Sequence, residues 1–372
     1  MKLQNRYTWF SDWLGLSESD FLERRHECIV RIEDEWLGAR NVKSGDVWSA
    51  GDFTVCFLDD LKMKAVSQRL GEFPIFEIVV RKSEEAKPLV DVAHLQSVAK
   101  PRSLFQVASN FNCAEVASVL TDVESGQFVS RNALDVTQGP AASASAAISL
   151  VTRIHAPFYD EGIVSDFWGQ GEHRQVELLG DPMLAEHFPV TNGKLIFDGS
   201  EPLEFEPDES LLGGVGVGLH CNAPAYFGRR VGDYMICSDP VPVIDQVFVA
   251  TLNWNAPHAH AQYMESKNRF LLQAAYEGTY LAAVKQRSKH LVLTLVGGGS
   301  FSNPLQWIAQ SIAQAHKKWG MYSQLNKVVL PLYGLNGVVR GVRMDELLVE
   351  SLRTVGIPKE RIVISEVSSF NP

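Results

Sequence analysis

The sequence predicts an α/β fold built on a mixed, largely parallel sheet, with an N-terminal extension and an internal insertion. Three observations lead there. From about Val90 onward, apolar strand-like runs alternate with long helical patterns, the texture of βαβ units. Two strand-to-helix junctions, one formed by 104–112 with 137–147 and the other by 291–305, are rich in Gly, Asn and small residues. Apolar residues make up 45% of the 372 and charged residues 21%, enough to bury a sizeable core and to exclude collagen, coiled coil and wholesale disorder.

Residues 1–88 read as an extension packed on the core. A helix is expected over 18–37, and strands over 53–58 and 75–80, from their apolar spacing. The main domain is expected to span 89–372. Its strands fall at 89–91, 104–109, 215–219, 246–252, 291–295 and 327–331, and its helices at 141–153, 266–287, 305–319 and 344–355. Between about 156 and 214 lies a polar stretch too long for a structureless loop, so it reads as an insertion with hairpins of its own. No Ser-, Gly- or Pro-rich linker separates the parts, which favours one composite domain.

Lys plus Arg number 34 and Asp plus Glu 44, a net charge of −10 with no basic tract. Long nucleic acid is therefore a poor partner, since Lys and Arg must replace its condensed counterions. A single small anion can still be held by backbone amides and helix N-termini. No apolar run approaches the roughly 20 residues of a membrane span, and the N-terminus lacks the apolar stretch of a secretory signal. A cytoplasmic chain is expected, a description that also fits an effector delivered into a host cell. Five cysteines without a CxxC pair argue against a disulfide framework and a thiolate zinc site. The one close His pair, His258 and His260, is too few ligands for a metal site, so no metal is expected.

The sharpest local signal is the run from Leu291 to Pro304. A buried strand enters Gly297, Gly298 and Gly299, followed by Ser300, Phe301 and Ser302, then Asn303 at an expected N-cap and Pro304 at the first helical position. Such glycines let backbone approach a phosphate, or simply make a tight βα turn; the spacing admits both. The second junction has the same logic. A strand ends in Asn110, Phe111 and Asn112, and Gln138, Gly139 and Pro140 later open a helix of small residues from Ala141. In open α/β sheets, ligands bind at the C-terminal ends of the strands. Two such cradles suggest a nucleotide diphosphate, yet there is no GxxxxGK[ST], and the glycines at 213–218 lack GxGxxG spacing.

Taken in order, these motifs resemble the macrodomain superfamily, the ADP-ribose-binding module, over roughly 90–364. Within it, Thr137-Gln138-Gly139-Pro140 and the Gly297–Pro304 run are most similar to the MavL-like ADP-ribosylhydrolase branch. The resemblance implies a three-layer α/β/α sandwich. It implies that Asp91 and Val92 contact adenine and that Asn110 and Asn112, with Phe111 between them, face the distal ribose. Gln138, Gly139, Pro140 and Ala141 would form the first phosphate loop. Gly297, Gly298, Gly299, Ser300 and Phe301 would form the second, with Phe301 against a ribose. No cofactor is implied beyond ADP-ribose itself as ligand or product. The implied partner is an ADP-ribosylated protein, ubiquitin being one candidate. The adjacent Glu pair of poly(ADP-ribose) glycohydrolases is missing beside Gln138, which points to mono-ADP-ribose.

Hydrolysis of a ribosyl bond needs a carboxylic acid or carboxylate beside C1″. Asp233, Asp239 and Asp245 precede or enter the strand at 246–252, and Asp245 and Asp233 are the first choices for the acid. Glu115, three residues past Asn112, is the next. Asp233 and Asp239 are equally at home as turn residues. Two alternatives stay open: an inert ADP-ribose reader, and another nucleotide-diphosphate enzyme on a similar sheet.

Overall fold

The computed structural model describes residues 2–32, 37–65, 71–115, 129–160, 163–171, 174–202, 204–256 and 263–370. His258 and His260 lie outside the described residues. Ten strands form the main sheet: β1 Ile29–Arg31, β2 Leu37–Arg40, β3 Val47–Phe57, β4 Ile75–Arg81, β5 Ser103–Ala108, β6 Gly216–Pro224, β7 Val243–Val249, β8 His290–Val292, β9 Lys327–Leu332 and β10 Ile362–Val367. Their order is β10-β4-β9-β8-β5-β7-β6-β3-β2-β1. The six from β10 to β7 run parallel, and β6 to β1 continue antiparallel. The fold is α/β with a mixed, largely parallel sheet, as expected.

Two buried glutamines show how the layers are stacked. Gln106 on β5 lies opposite Val247 on β7, so Gln106 and Gln246 leave opposite faces of the sheet. Gln106 donates to Thr279 Oγ1 at 2.7 Å on α4, Met264–Lys285. Gln246 donates to Gln96 Oε1 at 3.0 Å on α1, Val92–Ser97, and to the Ala142 carbonyl at 3.1 Å on α2, Pro140–Ser145. Helices therefore cover both faces. With α4 packs α5, Leu305–Trp319, whose apolar stripe of Leu305, Ile308, Ile312, Ala315 and Trp319 is buried as its spacing requires. The helix α6, Met344–Thr354, packs on α5 in turn.

A second, smaller core joins Trp9, Phe10 and Phe21 to α3, Ala147–His155, and to the hairpin Phe227–Val231/Tyr234–Cys237. The expected boundary at 88/89 is no seam. Strands β1 to β4 come from the first 88 residues, and β4 lies between β10 and β9 inside the sheet.

Three local expectations are corrected. Residues 89–91 are not a strand: Lys87–Val90 is a 3-10 turn, and Asp91 caps α1 by accepting from the amides of Ala93 (2.9 Å) and His94 (3.3 Å). The helix expected over 18–37 stops at Cys28, where β-branched Ile29 and Val30 join the sheet edge. The helix expected over 141–153 is two, broken at Ala146 (φ −98°, ψ 62°). The insertion carries the hairpins Pro157–Asp160/Ile163–Trp168 and Val190–Thr191/Lys194–Leu195.

Candidate active site

Because β7, β5 and β8 are adjacent and parallel, their C-terminal ends lie side by side. The segments that follow them are 250–256, 109–115 and 293–304, and the head of α2 closes on the same edge. A Cβ on Gly139 would lie 2.7 Å from the Ala108 carbonyl and 3.1 Å from Glu115 Oε1. Glycine is thus required where the first cradle meets the end of β5, and Glu115 is a direct neighbour of that cradle.

The second cradle is tied from below. Gln106 Oε1 accepts the Thr294 amide (3.0 Å), and the Tyr276 hydroxyl donates to the Thr294 carbonyl (2.8 Å) while accepting the Val296 amide (3.0 Å). Gly297 has φ +71°, and a Cβ there would sit 2.2 Å from Asn303 Nδ2 and 2.8 Å from Thr251 Oγ1. Carbonyls of the loop are drawn outward: Arg340 donates to those of Gly298 (3.3 Å) and Asn303 (2.9 Å), Asn255 to that of Ser300 (2.7 Å), and the Trp254 amide to that of Phe301 (2.9 Å). Among the described residues, the amides of Gly299, Ser300 and Phe301 have no hydrogen-bond acceptor. Space beyond the Gly299 Cα is open. Three successive amides without a partner beside open space are donors available to an anion.

Glu115 is half-buried. Burial pushes its carboxyl up to about 8, and the neighbouring Asp135 adds to this; Lys194 and a backbone hydrogen bond at Asn110 oppose it. Asn132 donates to the Glu115 carbonyl at 2.6 Å, and Asp135 Oδ1 accepts the amide and hydroxyl of Thr137 at 2.6 and 2.5 Å. These contacts hold 132–137 in place next to Glu115.

The remaining sequence candidates divide. Gln138, Gly139, Pro140, Ala141, Asn110, Phe111, Gly297, Gly298, Gly299, Ser300 and Phe301 come together at this edge. Asn112 is also there but 1% exposed: its Nδ2 donates to Gln175 Oε1 (2.9 Å) and its Oδ1 accepts the Ala114 amide (3.0 Å), so it braces the segment instead of facing a ribose. Asp91 spends its carboxylate on the α1 cap, and Val92 is buried beneath it. Asn303 does not cap α5; it accepts from Asn268 Nδ2 (3.1 Å) and donates to Thr251 (3.4 Å).

The two preferred aspartates lie elsewhere. Asp245 is opposite Leu104 at the start of the parallel pair, four residues before Val249, which is about 13 Å from the site edge at strand rise. Its carboxyl is raised by burial and accepts the Asn222 amide at 3.0 Å. Asp233 is in the exposed hairpin turn, 3.3 Å from Arg6. Sequence reading missed Lys194, Thr251, Gln175 and Arg340. Of these only Lys194 had a local signal, the Asn192-Gly193 turn dipeptide just before it.

No family model matches the chain, and no curated protein matches it. Solved structures similar to it include poly(ADP-ribose) glycohydrolase from Deinococcus radiodurans in complex with ADP-ribose, at 12% identity over 82% of this chain and 95% of that one, with a TM-score of 0.45. Another is poly(ADP-ribose) glycohydrolase from Thermomonospora curvata, at 13% identity over 90% and 96%, with a TM-score of 0.44. The expected placement in the MavL-like branch is corrected by these findings: the structural neighbours are bacterial poly(ADP-ribose) glycohydrolases, a distinct family.

Proposed function

We propose that this chain binds ADP-ribose across the two amide cradles and releases it from a modified protein by hydrolysis, with Glu115 as the acid. The observation that carries the reading is geometric: a half-buried carboxyl stands against Gly139 at the head of the first cradle, and burial pushes it upward. As the ribosyl C1″ bond breaks through an oxocarbenium-like state, Glu115 protonates the leaving group. Water then adds to C1″ and its proton returns to the Glu115 carboxylate, so the acid is regenerated. The free amides of 299–301 offset the negative charge of one phosphate without any net positive charge on the protein. The lack of an adjacent Glu pair beside Gln138 in the sequence favours mono-ADP-ribose on a protein carrier, with ubiquitin as one candidate.

Calorimetry and a release assay test this. ADP-ribose should bind in the micromolar range, roughly −8 kcal/mol, and AMP far more weakly because it fills only one cradle. Incubation with mono-ADP-ribosylated protein should yield free ADP-ribose. Equal affinity for AMP would overturn the two-cradle reading; tight binding without release on any linkage would leave a reader.

A further inference from the structure

The loop that carries the three unpartnered amides is held from outside by a hairpin. Strand β9 runs parallel beside β8, so the segment that follows it emerges at the same edge of the sheet. There Val338–Val339 pairs with Val342–Arg343 around the two-residue turn Arg340-Gly341, and both turn residues have positive φ (48° and 80°). Glycine suits such a position, whereas an arginine there is unusual. The base of the hairpin is close-packed. A Cβ on Gly334 would lie 1.7 Å from the Val338 carbonyl, and Arg343 pairs through two nitrogens with Asp345, at 3.0 and 2.8 Å, in the first turn of α6. The Arg340 side chain therefore starts from a set place. Its Nη1 donates to the Gly298 carbonyl (3.3 Å) and to the Asn303 carbonyl (2.9 Å), so one nitrogen clips the two ends of the loop together.

We propose that Arg340 is the positioning residue of the second cradle, aiming the Gly299 amide at a phosphate of the ligand and standing as a fixed cation behind it. The inference deepens the hydrolase reading and rests on its second cradle. A peptide unit is planar and trans, so a carbonyl and the next residue's N–H point in opposite directions. Each of the three amides is therefore aimed by whatever holds the carbonyl before it. For Gly299 that carbonyl is Gly298's, held by Arg340. For Ser300 it is Gly299's, which accepts the Ser302 amide at 3.0 Å, and for Phe301 it is Ser300's, held by Asn255 at 2.7 Å. Of these three holders only Arg340 carries a charge. A guanidinium on a carbonyl polarises the peptide and makes its N–H a stronger donor. Space beyond Gly299 is open, so a phosphate can reach that N–H. In a chain of net charge −10, the cradle thus gains a cation that never has to touch the ligand.

The test reads the amides themselves, by amide NMR of the full chain titrated with inorganic pyrophosphate and with ADP-ribose, alongside calorimetry. In the unmutated chain the Gly299, Ser300 and Phe301 signals should move. Arg340→Met removes both bonds and the charge, so affinity for either ligand should fall about tenfold. The Gly299 response should shrink more than that of Phe301, whose holder Asn255 is intact. Arg340→Lys, which keeps the charge but not the planar fork, should recover part of the loss. Adenosine, which has no phosphate, should bind Arg340→Met as it binds the unmutated chain; an equal loss for adenosine would mark a general loosening and overturn the proposal. If Arg340→Met fails to fold, Arg340→Lys is read in its place, with affinity expected about twofold to fivefold below the unmutated value. Unchanged affinity for both pyrophosphate and ADP-ribose in the folded variant overturns the proposal and leaves the hydrolase reading untouched. Arg340-dependent pyrophosphate binding in a chain that releases no ADP-ribose would refute that reading and leave the positioning role standing.

Discussion

Glu115 and Asp245 make an instructive pair. Both are carboxyls pushed upward by burial, and they lie just beyond or at the start of adjacent parallel strands. Asp245 stands toward the N-terminal end of β7, where its partner is the Asn222 amide of the neighbouring strand β6. Glu115 follows the C-terminal end of β5, where Gly139 and the first cradle meet it. A perturbed carboxyl signals chemistry only when it shares an end of the sheet with something that can hold a substrate.

The largest expected effect breaks the comparison at its centre. Glu115→Gln should cut single-turnover release of ADP-ribose by about 10²–10⁴-fold, with much less change in ADP-ribose affinity, since the amide cradles are untouched. Full activity in that variant would remove Glu115 from the mechanism.

The cradles come next. Gly299→Val places a branched side chain in the open space where a phosphate is expected, and affinity by calorimetry should fall at least about tenfold with the melting curve nearly unmoved. Gly139→Ala is a contrasting case, because its Cβ would lie 2.7 Å from a strand carbonyl. It should lower stability by about 1–3 kcal/mol as well as weaken binding, and an unchanged melt would show that the junction is looser than drawn.

Acidity gives a smaller, pH-resolved effect. Glu115 is held at about 8 when folded, above its ordinary 4.5, so the folded chain binds this proton more tightly than the unfolded one. The stability it contributes is full below about 4.5 and is lost as pH rises through about 8. Release should fall along the same alkaline limb. Glu115→Gln should flatten the part of the melting-against-pH curve that lies in this window. Smallest of all, Asp245→Asn and Asp233→Asn should leave release within about twofold of the unmutated rate, for want of any cradle near either. A large loss from Asp245→Asn would reverse the assignment.

What local sequence determined was the periodic and conformational part. Apolar runs specified the strands β5 to β9, though not β10, and the 3.6-residue stripe of Leu305, Ile308, Ile312, Ala315 and Trp319 specified α5 to the residue. Glycines at 139 and 297–299 marked places where backbone must come close or bend, and the structure supplies a steric reason at Gly139 and Gly297. The short polar side chains of Asp91, Asn112 and Asn303 read equally well as ligand contacts or as internal braces. Packing decided for braces, because each found a backbone or amide partner within 3.4 Å.

Only the tertiary structure decided which of the candidate carboxyls lies beside the first cradle and where the insertion's hairpin is fastened. Distance along the chain carries no information about which end of a parallel strand a residue will occupy relative to a glycine loop many residues away. Gly139 meets Glu115 because α2 is seated on the end of β5, and the Asn192-Gly193 turn reaches the segment before Glu115 because it is fastened through Gln175 to Asn112. Those contacts depend on strand order and on the packing of side chains far apart in sequence, and neither leaves a local period, spacing or composition from which it could be read.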